Sequence, residues 1–292
     1  GERELAIGQE LVTHPAIAAV GFTGSFKGGM ALHKLAGARA SPIPVFAEMG
    51  SINPVFILPD ALAREGAAIA QKLFGSFTNS NGQMCTKPGL VIVQGGPGAE
   101  AFAEVLAALV NSAPAQTMLS DRIRSSFLSR LHDVGEVPGV DAVARSRPSP
   151  DSGIYQPAIL LRTAAATLSR FPTLHDECFG PAMILVVCRD AEEMQRAAAN
   201  MPGALAAAIF AAESDHAVAQ PLTAALVRRV GRLVFNGLTT GVEVSPAMVH
   251  GGPYPATNQP HTTAVGIMAL ERWCRPVCYQ NAPEGLLAGE LR

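Results

Sequence analysis

The chain has 292 residues, 48% of them hydrophobic and 16% charged, with a net charge of −2. So much apolar material excludes a disordered chain, and the near-neutral balance gives nucleic acid or an anionic membrane surface nothing to hold. Five cysteines, at 85, 178, 188, 274 and 278, show no paired framework, which fits a reducing compartment and predicts a cytoplasmic location.

In chain order, residues 18–22 and 45–48 read as strands on either side of a helix near 28–38. Pro54-Val55-Phe56-Ile57-Leu58 is a third strand, after which Asp60 is expected to cap a helix carrying Leu62, Ile69, Leu73 and Phe77 at helical spacing. A polar loop with Cys85 comes next, then a strand at 90–94 and a helix with Phe102, Val105, Leu106, Leu109 and Val110 on one face. A second helix over 119–134 presents Ile123, Phe127, Leu131 and Val134. The stretch 135–153, with Pro138, Gly139, Pro148, Pro150 and Gly153, reads as irregular or as short strands. Strands at 183–188, 205–210 and 232–236 then alternate with helices at 191–200 and 215–229. This alternation predicts an α/β fold, a largely parallel sheet with helices on both faces, in which ligands gather at the carboxyl ends of the strands. Residues 245–262 are rich in Pro, Gly, Thr and His, a short helix is expected near 263–273, and the extended segment 275–280 reads as an edge strand shared with a second subunit.

The chemistry concentrates in Gly82-Gln83-Met84-Cys85-Thr86-Lys87-Pro88-Gly89. It puts one thiol on a glycine-flanked loop between a helix and an apolar strand, the setting a nucleophile needs. Glu48, in Glu48-Met49-Gly50-Ser51-Ile52-Asn53-Pro54, ends a strand and taken alone would be a solvated carboxylate. Gly24-Ser25-Phe26-Lys27-Gly28-Gly29 is a turn from strand to helix, open to two readings: an ordinary turn, or an approach for a dinucleotide phosphate at a helix N-terminus. Glu177-Cys178-Phe179-Gly180-Pro181 is a Gly-Pro turn preceded by an acid. Cys274 and Cys278 have a ligand-like spacing, but no second pair or neighbouring histidine completes a site, so no metal is expected. The longest apolar tract, 203–212, is too short to span a bilayer, and no signal peptide is visible at Glu2-Arg3-Glu4.

Taken in order, Phe22-Thr23-Gly24-Ser25, the Glu48 segment, the Cys85 loop and the Glu177 turn resemble the aldehyde dehydrogenase superfamily. The resemblance implies a catalytic domain of that type at 51–262, the remnant of a dinucleotide-binding domain at 1–50, and a C-terminal helix and oligomerisation strand at 263–292. Cys85 would be the nucleophile and Glu48 the base that activates water against a thioester. Gly24, Ser25, Glu177 and Phe179 would hold NADP or NAD, and the partners would be a small aldehyde and further copies of the chain, as a dimer or tetramer. Ser51 stands where a second glycine is usual, and Val249-His250-Gly251-Gly252-Pro253-Tyr254-Pro255 replaces a late P-F-G-G segment. With the segment from Arg272 to Gln280, these departures look like the branch that oxidises 2-oxoglutarate semialdehyde, a long-chain fatty aldehyde branch being the alternative. Family members begin with a long segment that carries a cofactor lysine and an oxyanion asparagine, and neither has a counterpart here. A truncated chain, inactive alone, is therefore expected.

Two other readings compete. One is a non-catalytic fragment that self-associates through its tail. The other is a cysteine hydrolase pairing Cys85 with His132, His175, His250 or His261, none of which sits in a recognisable hydrolase motif.

Overall fold

Runs such as Leu90-Val91-Ile92-Val93 have no polar face, so as strands they must be covered on both sides. The computed structural model describes residues 2–148 and 153–291 and shows that arrangement; Pro150 lies outside the described residues. The chain opens with α1 (Glu2–Thr13), β1 (Val20–Thr23), α2 (Phe26–Gly37) and β2 (Val45–Glu48). β1 and β2 pair in parallel as a separate two-stranded sheet, Thr23 opposite Glu48. That sheet packs over its own apolar cluster of Val12, Ala36, Val45, Ala47 and Met49.

The main body follows as β3 (Val55–Ile57), α3 (Pro59–Thr78), β4 (Leu90–Gln94), α4 (Pro97–Ser112), β5 (Gln116–Thr117) and α5 (Asp121–Gly135). It continues through β6 (Val140–Arg145), β7 (Tyr155–Gln156), β8 (Ile159–Ala164), α6 (Ala165–Arg170) and β9 (Ala182–Cys188). α7 (Ala191–Ala199), β10 (Ala204–Phe210), α8 (His216–Leu226) and β11 (Val230–Phe235) complete it. Seven strands form one sheet in the order β11-β10-β3-β4-β9-β8-β6, parallel throughout except for β6 against β8. β5 and β7 make a small antiparallel pair beside it.

Side chains alternate across the sheet, as the pleat requires. Val55, Ile57, Val91 and Val93 pack with α3 and α4, whereas Phe56, Leu90 and Ile92 pack with α6, α7 and α8. The helices therefore cover both faces.

Several expectations shift. α1 was not legible, because its sequence offers only a short apolar stretch. α3 begins at Pro59, and Asp60 sits in its first turn rather than capping it. The capping carboxylate belongs to distant Asp215, which accepts from the N–H groups of Asp60 (3.0 Å) and Ala61 (2.9 Å). The region 135–153 yields β6, whose partner β8 the pattern had not marked. In the tail, Ile267–Trp273 is a 3₁₀ helix, and residues 274–280 carry no regular element. None of the described helices is long and apolar enough to cross a membrane.

Candidate active site

Cys85 is reached through a tight reversal after α3. Ser80, Asn81 and Gly82 all take positive φ, near 51°, 52° and 70°, a conformation that asparagine and glycine accept most readily. At Gly82 the need is absolute in this packing: a Cβ there would lie 2.2 Å from the carbonyl oxygen of Gly180. The turn thus presses the Cys85 loop onto the turn that contains Glu177.

Three further contacts hold the loop. Asn53, fully buried, donates its amide to the carbonyls of Cys85 (2.9 Å) and Lys87 (3.1 Å), while its own oxygen accepts from Ala206 N (3.2 Å). Thr239 donates to the carbonyl of Thr86 (2.7 Å). Lys87, also buried, extends its ammonium to the carbonyls of Cys178 (3.0 Å) and Ala182 (2.8 Å). Burial holds the Lys87 ammonium below its ordinary range, and the neighbouring Cys178 and Glu177 offset part of that.

Glu48 ends β2 in the small sheet, whereas Cys85 precedes β4 in the large one, so the site lies where the two sheets meet. Glu48 is 3% exposed, which overturns the solvated reading of this carboxylate. Between it and the thiol stands His250. Its Nε2 lies 3.4 Å from Cys85 Sγ and 3.3 Å from Glu48 Oε1. The loop that carries the imidazole is fixed by Thr263, whose hydroxyl accepts from His250 N (2.9 Å). Bonding to Cys85 and then to Glu48 raises the His250 pKa to about 9 against the opposing effect of burial. A single ring nitrogen can thus take a proton from the thiol or pass one to the carboxylate.

Glu177 is drawn in beside this trio. A Cβ on Gly50 would come within 2.8 Å of Glu177 Oε2 and would push the carboxylate aside. Burial pushes the Glu177 carboxyl up to about 7, with Glu48 adding to the rise and Lys87 and the backbone N–H of Ser51 opposing it. Two arginines add positive charge nearby: Arg232 donates to the carbonyls of Gly241 and Thr239, and Arg272 donates to Thr262 Oγ1 and lies over the Phe46 ring. Burial lowers the pKa of each, and Cys85 and Glu48 respectively oppose that lowering.

Gly24 and Ser25 lie at the exposed β1–α2 turn. The Gly24 N–H donates to the Glu48 carbonyl (3.1 Å), and Ser25 caps α2 by accepting from Gly28 N (3.2 Å). Neither touches Cys85 in the described contacts. Phe179 is half-buried, two residues beyond Glu177. Of the other thiols, Cys188 is buried with its pKa pushed up to about 12, Cys178 is also raised by burial, and Cys274 and Cys278 are exposed. Among the described residues, Cys274 and Cys278 belong to no convergent group of three ligand atoms.

The feature missed by sequence reasoning is His250. In sequence it is one of four histidines, with His132, His175 and His261, that could pair with Cys85, and none of the four sits in a recognisable hydrolase motif. Its one signal was its place in a glycine-rich loop that departs from the usual P-F-G-G segment. Asn53 before a proline and Lys87 before a wholly apolar strand were equally unmarked.

A parallel sheet covered on both faces, with a thiol, an imidazole and a carboxylate meeting at its rim, is an α/β scaffold that brings a potential nucleophile and two proton-carrying groups together. The family model for the aldehyde dehydrogenase family matches residues 2–253, and the chain belongs to that family. Family members use NAD or NADP. The chain is 44% identical over 98% of its length to alpha-ketoglutaric semialdehyde dehydrogenase 2 of Azospirillum brasilense, and 42% identical over 98% to alpha-ketoglutaric semialdehyde dehydrogenase of Acinetobacter baylyi. It spans 54% of each of those proteins, about half their length. A crystal structure of a putative aldehyde dehydrogenase from Burkholderia cenocepacia superposes with a TM-score of 0.76 at 23% identity, covering 91% of this chain and 54% of that one.

Proposed function

We propose that this chain carries the thiol and base of an enzyme that oxidises 2-oxoglutarate semialdehyde to 2-oxoglutarate with NADP or NAD. The observation that carries the reading is the convergence of Cys85, His250 and Glu48 at the rim of the sheet. His250 accepts the proton of Cys85, and the sulfur adds to the aldehyde carbon as a thiohemiacetal. The bound dinucleotide supplies the hydride acceptor. The acyl group then remains on Cys85 as a thioester, and Glu48 takes a proton from the water that hydrolyses it, releasing the carboxylic acid and the thiol.

The residues present fit a dinucleotide. The N-terminal turn of α2, with Gly24 and Ser25, suits a phosphate, Glu177 can accept from ribose hydroxyls, and Phe179 lies close to it in the chain. For substrate class, the names of the two relatives agree with the charge of the site. Arg232 and Arg272 favour an aldehyde that carries a carboxylate over a long aliphatic one. The tail exposes Val277 and Tyr279, which supports self-association as a dimer or tetramer. The small sheet and its cluster support a boundary near residue 50 between the dinucleotide-binding part and the thiol domain.

The test uses the complete enzyme that contains this chain. Cys85→Ala should abolish cofactor reduction, while Glu48→Gln should leave a single-turnover burst followed by slow turnover. Undiminished steady-state turnover in Glu48→Gln would remove that residue from the mechanism. Faster turnover of a long aliphatic aldehyde than of 2-oxoglutarate semialdehyde would overturn the substrate assignment.

A further inference from the structure

The three atoms that meet at the site are a thiol sulfur, an imidazole nitrogen and a carboxylate oxygen, and all lie within 4.8 Å of one another. A tetrahedral zinc-type ion holds sulfur at about 2.3 Å and nitrogen or oxygen at about 2.0–2.1 Å, which sets neighbouring donor atoms roughly 3.3–3.6 Å apart. Two of the three spacings already match: 3.4 Å from Sγ to Nε2 and 3.3 Å from Nε2 to Oε1. Glu48 and His250 are buried, whereas Cys85 is partly exposed and gives a small ion a route in.

The ligands are also held from behind. Asn53 grips the carbonyl of Cys85, Thr263 fixes the backbone of His250, and the bridge between Glu48 and Thr257 steadies the end of β2. Sites with one thiolate, one imidazole and one carboxylate suit a borderline-soft divalent cation far better than magnesium or calcium, which prefer all-oxygen shells.

We propose that Glu48, Cys85 and His250 form a three-ligand site for a thiophilic divalent cation of the zinc type, with water in the fourth position, and that the ion silences the nucleophile while bound. Binding releases one proton, from the thiol or from the imidazolium of the pair, as the sulfur lone pair goes to the metal. No electron changes hands, and a chelator reverses the step. Metal and aldehyde compete directly, because the same sulfur electrons make both bonds. The inference rests on these three side chains sharing one site, as the proposed reaction does, and its test reads metal rather than turnover.

The experiment uses the 292-residue chain. Cobalt(II) titration should give one equivalent of tetrahedral absorption with a sulfur-to-cobalt charge-transfer band, displaced by zinc. Iodoacetamide should label Cys85 freely in chelator and fail to label it with one equivalent of zinc. Cys85→Ser and His250→Gln, whose folding circular dichroism would confirm, should each weaken zinc by more than the roughly 10–100-fold that loss of an outer-shell partner costs. Cys274→Ser/Cys278→Ser should bind as the parent does. Retention of the charge-transfer band in His250→Gln, or its loss in the Cys274→Ser/Cys278→Ser protein, would overturn the proposal. Labelling of Cys85 that zinc leaves unchanged would overturn the metal site but spare the nucleophile; a Cys85 that resists labelling even in chelator would instead count against the nucleophile.

Discussion

Replacing Asn53 with alanine tests how the thiol loop is held. The side chain is fully buried and joins three parts of the chain: the Cys85 loop, the β2–β3 connection and β10. Alanine would leave the carbonyl of Lys87 and the N–H of Ala206 without this partner, and each buried group so orphaned costs about 1–3 kcal/mol. Asn53 also holds φ near 48°, where a residue without asparagine's local hydrogen bonding loses about 1 kcal/mol more. The sum is about 3–7 kcal/mol, a large part of the roughly 5–15 kcal/mol of a typical domain. Asn53→Asp should be worse still, since it aims a buried negative charge at two carbonyl oxygens. Urea unfolding followed by circular dichroism measures the loss, and the iodoacetamide rate at Cys85 reports whether the loop has moved. An Asn53→Ala protein within about 1 kcal/mol of the parent, or an Asp variant as stable as the parent, would refute this account of the loop.

Three other outcomes are expected. At pH 7 iodoacetamide should label Cys85 ahead of the exposed Cys274 and Cys278, with Cys188 last, and His250→Gln should slow Cys85, because it removes the imidazole nitrogen that lies 3.4 Å from the sulfur and can take its proton. Equal rates for Cys85 and Cys274 in the parent would deny the pairing. Glu177, raised by burial from 4.5 to about 7, keeps its proton in the folded protein where the unfolded chain has lost it. Its contribution is therefore full below about pH 4.5 and lost as pH rises through about 7, to the extent of about 3 kcal/mol. Glu177→Gln should remove that pH dependence, and parallel stability-against-pH curves for the two proteins would contradict the shift. Gly82→Ala should cost about 2–4 kcal/mol from its positive φ and the clash with Gly180, read as a lower melting temperature; an unchanged one would mean that the two turns are not packed as described.

Much of this arrangement was readable from local order. Apolar runs at 55–57, 90–94 and 182–188 needed cover on both faces, so strand–helix alternation led directly to a parallel sheet between helix layers. Cys85 was marked by its glycine-flanked loop, whereas Glu48, a solvated carboxylate when taken alone, was marked only by its position ahead of that loop in an ordered set of motifs. What joins residues far apart leaves no such trace. β8 was not marked in the sequence and takes its place between β9 and β6 only in the folded sheet, and the cap of α3 comes from Asp215 rather than from Asp60. The imidazole between thiol and carboxylate comes from a loop 165 residues beyond Cys85. A histidine in a glycine-rich stretch is chemically mute until the chain closes. Only the packing of the late loop against the sheet rim decides that His250, and not His132, His175 or His261, stands at the sulfur.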